Sequence, residues 1–289
     1  MKCFYHSSDL DGHCSGAIVK KEYVDCEMIG IDYGEKFPWN DIELDETIFM
    51  VDFSLPTFEE MIKLNKECGG FLIWIDHHKT TIENELEWNK KRNFLIFTPP
   101  IEGLRRIGIG ACALVWKYIY SKRDIPYAVA LLAEYDVGDH SNPDTLPFQY
   151  GLRIENTLPE SNIWSVLLEE EYTVSSVNNT LEDGKAIIAY NSQSDERYAR
   201  RTYFVTLFEG YSCVAINKAL TNSLLFESIK FDKDIMIAFC WNGKNSCWVV
   251  TLYTDKEEID VSVLAKRHGG GGHKGAAGFS CDYLPFQLN

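Results

Sequence analysis

The chain is short of positive charge, of paired cysteines and of long apolar runs. Only 28 Lys and Arg stand against 43 Asp and Glu, a formal net charge of −15. A protein that grips long duplex DNA needs a basic face, so long duplex DNA is not an expected partner. A short anionic substrate stays compatible, because bound cations can invert the local field. The nine cysteines include no CxxC pair. Such scatter excludes the usual signature of a disulfide framework or a structural zinc site, and Cys14 and Cys112 fall in helix-like stretches as packing residues. The opening MKCFYHSSDLDG turns polar at once, unlike a signal peptide. Runs such as AVALLA and MIAFCW are too short to span a bilayer. The expectation is a soluble cytoplasmic protein with no membrane partner. No internal repeat or low-complexity tract is visible.

What is present is enough for a folded globule. The chain has 289 residues and 45% hydrophobic content, which suits one large domain or two ordinary ones. Its first half alternates strand-like and helix-like stretches. KCFYHS, EMIGIDY, TIFMVDF, FLIWID and NFLIFT read as strands, while GHCSGAIVKKEY, TFEEMIKLNKEC, TIENELEWNKKR, ACALVWKYIY and YAVALLAEY read as helices. Thr57 is a candidate N-cap and Gly69 a stop signal for the second helix. That alternation implies an α/β layer with a largely parallel sheet. The pattern weakens over residues 155–200 and then changes. TYFVTLF and YSCVAIN are strands separated by EG, and DIMIAFCW and SCWVVTLY flank the hairpin signal NGKN. A short helix, VSVLAKR, then meets a glycine run. The expected domains are 1–185 and 201–289, joined by a helical or linker connector at 186–200.

Acidic and histidine residues gather where these elements end. HSSDLDG holds His6, Asp9 and Asp11; MVDFS holds Asp52; IDHH holds Asp76, His77 and His78; EYDVGDH holds Asp136 and Asp139. All seven histidines lie in these clusters, in the glycine segment below, or within a few residues of them. In open α/β sheets, ligands bind beyond the carboxyl ends of the strands, so the first three clusters are expected to converge. Carboxylates mixed with imidazole suit borderline divalent ions such as Mn²⁺, Fe²⁺, Co²⁺ or Zn²⁺. Without cations, the carboxylates would repel one another and take up protons. The ligands exceed the needs of one ion. A two-metal centre follows, with ions roughly 3.5–4 Å apart, as in phosphoryl-transfer enzymes. A fifth segment, RHGGGGHKGAAGF, combines glycines that admit close backbone approach with Arg267, His268, His273 and Lys274. A helix beginning near His273 would offer free N–H groups to a phosphate. Singly, each feature has a plainer reading: Asp52 as a turn or cap residue, Asp76 as a helix cap, Asp139 and His140 as a surface turn, the glycines as a flexible loop. Their order along one chain has no packing explanation.

In that order the motifs resemble the DHH/DHHA1 phosphoesterases, the group containing the RecJ exonucleases, the nano-RNases and the cyclic-dinucleotide phosphodiesterases. HSSDLDG matches the first motif, VDFS the second, IDHH the one that names the family, EYDVGD the fourth, and GGGGHKGAAG the signature of the C-terminal substrate-binding domain. The resemblance implies an N-terminal α/β DHH domain, with a mainly parallel sheet flanked by helices. A connector joins it to a smaller α/β DHHA1 domain, with the active site in the interdomain cleft. It also implies two divalent ions, usually manganese. His6 and Asp9 would bind one; Asp11, His77 and Asp136 the other; Asp52 would bridge them. His78 would sit nearer the substrate phosphate and Asp76 would orient the histidines. His273, Lys274 and the glycines Gly270, Gly271 and Gly272 would contact substrate. Many relatives carry an arginine in the strand before the glycines, where this chain has Tyr253; Arg267 is the candidate substitute. Asp139 is a rival to Asp136. The activity implied is hydrolysis of short oligonucleotides by a metal-activated water. Linear or cyclic dinucleotides and nucleotide 3′-phosphates are alternative substrates. A catalytically silent nucleotide sensor is the alternative of another class, and a homodimer is left open.

Overall fold

The computed structural model describes residues 1–91, 100–169, 175–230 and 232–288. The strand expected for NFLIFT, at 93–98, lies outside the described residues. Short apolar runs form four strands: β1 (Lys2–His6), β2 (Glu27–Ile31), β3 (Ile48–Val51) and β4 (Leu72–Ile75). They lie in the order β2-β1-β3-β4 and all pair in parallel. The near-continuous apolarity of β1, β3 and β4 follows from burial on both faces, which parallel sheets require.

Successive side chains on a strand point to opposite faces, and here they feed two cores. Cys3, Tyr5, Phe49 and Val51 pack on one side with helices α1 (Leu10–Glu22), α4 (Ala111–Ile119) and α5 (Tyr127–Asp136). Phe4, Ile48, Met50 and Trp74 pack on the other with α2 (Phe58–Glu67). Thr57 closes a capping box with Glu60 at the start of α2, and Gly69 follows its end at φ +74°. A further helix, α3 (Lys79–Lys91), follows β4. The sequence did not signal α6 (Thr145–Leu152) or α7 (Ile163–Leu167), which are short and weakly periodic. The stretch expected as a connector is part of one continuous helix, α8 (Ser175–Thr202).

The chain divides into two compact units, Met1–Ile187 and Ile188–Asn289. The second unit contains β5 (Phe204–Phe208), β6 (Tyr211–Asn217), β7 (Ile235–Asn242), β8 (Cys247–Tyr253), α9 (Val261–Arg267), β9 (Gly271–Gly272) and β10 (Ala276–Cys281). Its sheet runs β5-β6-β7-β8-β10-β9, with only the β6–β7 pair parallel. The EG between β5 and β6 is a two-residue turn with both residues at positive φ, 51° and 85°, the twist that hairpins favour. Among the described residues no helix is long and apolar enough to cross a membrane.

Register fixes what stands at the carboxyl edge of the first sheet. Tyr5 pairs with Val51, and Val51 with Ile75. The next residues, His6, Asp52 and Asp76, therefore come level. The strand order reverses between β1 and β3, which is the topological switch point where such sheets bind ligands. Gly12 lets α1 begin directly beneath His6: a Cβ there would lie 2.1 Å from the His6 carbonyl oxygen and 2.7 Å from His6 Cβ. Alanine is the better helix former by roughly 1 kcal/mol, yet the clash is with backbone. Gly12→Ala is expected to destabilise the chain by about 1–3 kcal/mol. An unchanged urea midpoint would show that the α1–β1 contact is looser than described.

Candidate metal centre

Each of the four parallel strands delivers an acid or a histidine to the same edge: His6 ends β1, Asp32 follows β2, Asp52 follows β3 and Asp76 follows β4. Asp52 is 1% exposed and sits at φ +55°. That left-handed conformation is costly for most side chains and best tolerated by glycine, Asn and Asp. Its N–H still donates to the Ile75 carbonyl at 2.9 Å. Neither carboxylate oxygen of Asp52 has a properly directed hydrogen bond. His6 Nδ1 and His77 Nε2 only approach them, at 3.5 and 3.4 Å.

Three groups of potential ligands form around this carboxylate. The first is His6, Asp9 and Asp52; the second Asp52, His77 and His78; the third Asp11, His77 and Asp136. Within each, the ligand atoms lie within 4.8 Å of one another. His6 Nδ1 is 2.6 Å from Asp9 Oδ2. His77 Nε2 is 3.0 Å from Asp136 Oδ2 and 3.8 Å from Asp11 Oδ2. Asp52 and His77 are shared between groups, the arrangement a two-ion site needs. Asp139 belongs to none of the three; it is exposed and accepts the Ser141 N–H at 3.0 Å in a local turn.

A second set of contacts holds these ligands in place. Asp9 caps α1 through the Gly12 N–H, at 2.9 Å. Asp11 accepts the N–H groups of Ala111 and Cys112 at 2.6 and 2.8 Å, which plants it on the N-terminus of α4. Asp76 is fully buried. Its Oδ1 accepts the His77 N–H at 2.7 Å, the His78 N–H at 3.2 Å and His78 Nδ1 at 2.7 Å, and its Oδ2 accepts the Thr81 hydroxyl at 3.0 Å. Asp76 is thus spent on orientation and lies outside the three ligand groups. His78 Nδ1 is committed to it. The hydroxyl that stabilises this junction is that of Thr81, which also donates to the His78 carbonyl at 2.9 Å.

Three contributors escaped sequence reasoning. Asp32 lies 3.2 Å from His6 Nε2 and also accepts the Ser8 hydroxyl, so it orients His6 with Nδ1 toward the acids. A ligating histidine commonly donates its other N–H to a carboxylate in this way. The signal was available, because Asp32 also stands at a strand end in GIDYG. Thr81 and Ser8 carried none. His13 is satisfied by Thr157 Oγ1 and the Ser7 carbonyl, at 2.8 and 3.1 Å, and is structural.

The glycine segment corrects the sequence reading. No helix begins at His273. Gly271–Gly272 is instead a short strand paired antiparallel with Ala277 and Gly278. His273 and Ala276 exchange hydrogen bonds of 2.8 and 3.2 Å across the turn between them. The glycines are needed for close packing: a Cβ on Gly270 would lie 2.0 Å from the Gly278 carbonyl oxygen, and one on Gly272, at φ +138°, would lie 2.7 Å from that of Ala276. Arg267 donates to Glu209 at 3.2 Å, and His268 contacts the same carboxylate at 2.9 Å. His273 and Lys274 are exposed on the turn. Tyr253 is buried and donates its hydroxyl to the Thr221 carbonyl at 3.0 Å.

The electrostatics of this cluster are set by buried carboxylates crowded together. Burial, and then the neighbouring Asp52 and Asp136 charges, push the Asp11 carboxyl well above the usual range. Burial likewise raises Asp52. Burial opposes charge on His6 and His77, but Asp52 with Asp9 and Asp136 with Asp52 overcome it and raise both to about 11. Protons thus stand in for the missing positive charge. The donor set, with a buried carboxylate whose oxygens take no directed hydrogen bond, fits divalent ions of the manganese, iron, cobalt or zinc type.

The sign follows from the raised values. Stabilisation by the charged forms of His6 and His77 is complete below pH 6.5 and lost as pH rises through about 11. At pH 8 the metal-free chain therefore carries both imidazoles protonated. Ion binding there should release at least two protons, because ligands must deprotonate and the raised Asp11 carboxyl is among them. Calorimetric titration with Mn²⁺ in two buffers of different ionisation enthalpy reads that number, and zero release would refute the assignment.

No protein-family model matches the chain. An uncharacterized protein of Acanthamoeba polyphaga mimivirus is 26% identical over 260 residues, covering 84% of this chain and 56% of that protein. The chain thus spans little more than half the length of this relative. Among solved structures, a pGpG-specific phosphodiesterase from Vibrio cholerae is similar at 12% identity and a TM-score of 0.53, over 97% of this chain and 92% of that one. The DHH domain of a protein assigned to a family of ribosomal proteins is similar at 12% identity and a TM-score of 0.54, over 97% and 82%. An exopolyphosphatase-related protein from Bacteroides fragilis gives 14% identity and a TM-score of 0.54, over 96% and 85%. At such identities the likeness is one of fold. The parallel sheet with its acidic carboxyl edge, followed by the second mixed sheet, shares the fold of these solved structures, a DHH domain among them, as the order of motifs implied.

Proposed function

We propose that the chain is a metal-dependent phosphoesterase that hydrolyses the phosphodiester bonds of short linear oligonucleotides, down to dinucleotides. The observation that carries this reading is Asp52, a buried carboxylate with neither oxygen in a directed hydrogen bond, shared by two ligand groups at the switch point of the sheet. The fold of the pGpG-specific phosphodiesterase supports it, since pGpG is itself a linear dinucleotide. The acidic surface favours short substrates, because long strands need an extended basic track.

His6, Asp9 and Asp52 would hold one ion, and Asp11, His77, Asp136 and Asp52 the other. Bound there, divalent ions, most simply Mn²⁺, would neutralise phosphoryl oxygens and acidify an attacking water. The chain's own part is orientation and proton placement. Burial opposes charge on His78, and the Asp76 carboxylate overcomes it and raises the imidazole above its usual value. With Nδ1 held on Asp76, a protonated His78 would offer Nε2–H to a non-bridging phosphate oxygen, in a site where such donors act strongly. Asp76 is a positioning residue. His273 and Lys274, exposed on the second unit's turn, are the substrate contacts expected from that unit.

The test is a Mn²⁺ assay of the wild-type chain on di- to pentaribonucleotides, matched DNA, cyclic dinucleotides and nucleotide 3′-phosphates. Short linear RNA should be cleaved fastest, and Asp52→Ala should lose both hydrolysis and bound metal. Faster cleavage of cyclic dinucleotides would move the substrate class. Tight binding of a nucleotide without hydrolysis of any ester would favour a sensor. A second variant, Asp76→Asn, should lower kcat roughly 10- to 100-fold while leaving metal stoichiometry intact. Loss of metal in that variant would show that Asp76 does more than orient His78.

A further inference from the structure

A cavity of about 340 Å³ opens between the segment that follows β2 and the segment that follows β3. Tyr33, Phe37, Trp39, Phe53, Leu55 and Pro56 are among its lining residues. Its volume falls in the range of small-molecule sites. Two of its walls adjoin the metal centre directly. Tyr33 follows Asp32, the carboxylate that meets His6, and Phe53 follows Asp52. The Tyr33 ring lies 5.4 Å from the His6 ring, 5.9 Å from His78 and 4.8 Å from Phe53. It is 46% exposed, a large amount for an aromatic side chain beside a buried cluster. Phe37 and Trp39 pack edge to face at 4.9 Å, and Lys63 sits 3.6 Å over the Trp39 ring.

The carboxylates at its rim are already engaged. Glu35 accepts the Asp32 N–H at 3.0 Å. Glu60 is committed to the capping box at Thr57. What the pocket offers is aromatic surface with one cation, Lys36, at its edge. Flat π-faces beside a phosphate-handling centre are the means by which proteins hold unpaired bases, and such stacking tolerates sequence because every base has a π-face.

We propose that this pocket is a nucleobase subsite, holding by stacking the base of the nucleotide whose phosphate lies at the metal centre. The proposal rests on the phosphoesterase reading for the identity of that phosphate, but binding tests it without turnover. The wild-type chain, loaded with Mn²⁺, is titrated calorimetrically with guanosine 5′-monophosphate and with ribose 5-phosphate. Guanosine monophosphate should bind about tenfold to a hundredfold tighter, and Trp39→Ala should abolish most of that difference. Equal affinities in the wild type would overturn the subsite whether or not the protein hydrolyses esters. A base-dependent affinity that persists unchanged in a folded Trp39→Ala chain would overturn it too. If base-dependent binding is found while no phosphodiester is cleaved, the catalytic reading fails and the subsite stands. Should Trp39→Ala not fold, photolabelling of the wild type with 8-azidoadenosine 5′-monophosphate decides: label mapped to residues 31–39 or 53–56 supports the pocket, and label confined elsewhere overturns it.

Discussion

The first unit is organised around a carboxylate that the protein itself does not satisfy. Asp52 is buried to 1% exposure in a left-handed backbone conformation, and both its oxygens lack directed hydrogen bonds. Oxygens buried without such bonds would be selected against in an ordinary core. An unsatisfied buried polar group costs about 1–3 kcal/mol, and a non-glycine residue held at such φ adds to that. The surroundings compound the problem, because Asp9, Asp11 and Asp136 bring more negative charge to the same few ångströms. Protonation of His6 and His77 is the remedy open to the chain alone. Divalent cations are the stronger remedy, and the geometry that makes the cluster unstable without charge compensation is the geometry that would bind them.

That arrangement depends on the sheet more than on any single side chain. Parallel strands in register bring their last residues level, and reversal of strand order between β1 and β3 opens a crevice there. Four strand ends then supply His6, Asp32, Asp52 and Asp76 with no need of a long loop. The helices contribute at their N-termini. Asp9 caps α1 while Asp11, two residues on, reaches the first N–H groups of α4. The helix ends therefore hold two of the ligand carboxylates without exhausting their oxygens.

Much of this was legible because the signals were local. Strands β1, β3 and β4 are short apolar runs bounded by polar residues, and the hairpins of the second unit announce themselves through EG and NGKN. The clustering of histidine and aspartate at element ends was legible for the same reason. What stayed hidden depended on partners distant in sequence. Asp32 was visible as an acid after a strand, but its service to His6 needs β2 to lie beside β1. Thr81 and Ser8 look like any surface hydroxyl until the fold brings carboxylates to them. The glycine run misled because glycine permits both a phosphate-binding helix start and a tight hairpin. Pairing of Gly271 and Gly272 with β10 decided for the hairpin, and that pairing is a long-range fact of the sheet.

The acidic composition and the proposed anionic substrate are reconciled by the same cluster. A net charge of −15 repels phosphate from most of the surface, and long strands, with many phosphates, are repelled most. Charge reversal confined to one spot, by ions held at Asp52 and its neighbours, would make that spot the place where a phosphate is welcome. A substrate with one or two phosphates loses little to the remaining surface and gains the whole local attraction. On this view the scarcity of lysine and arginine is part of the selectivity for short chains. The aromatic pocket beside Tyr33 then supplies what electrostatics cannot, an affinity for the base that does not grow with strand length.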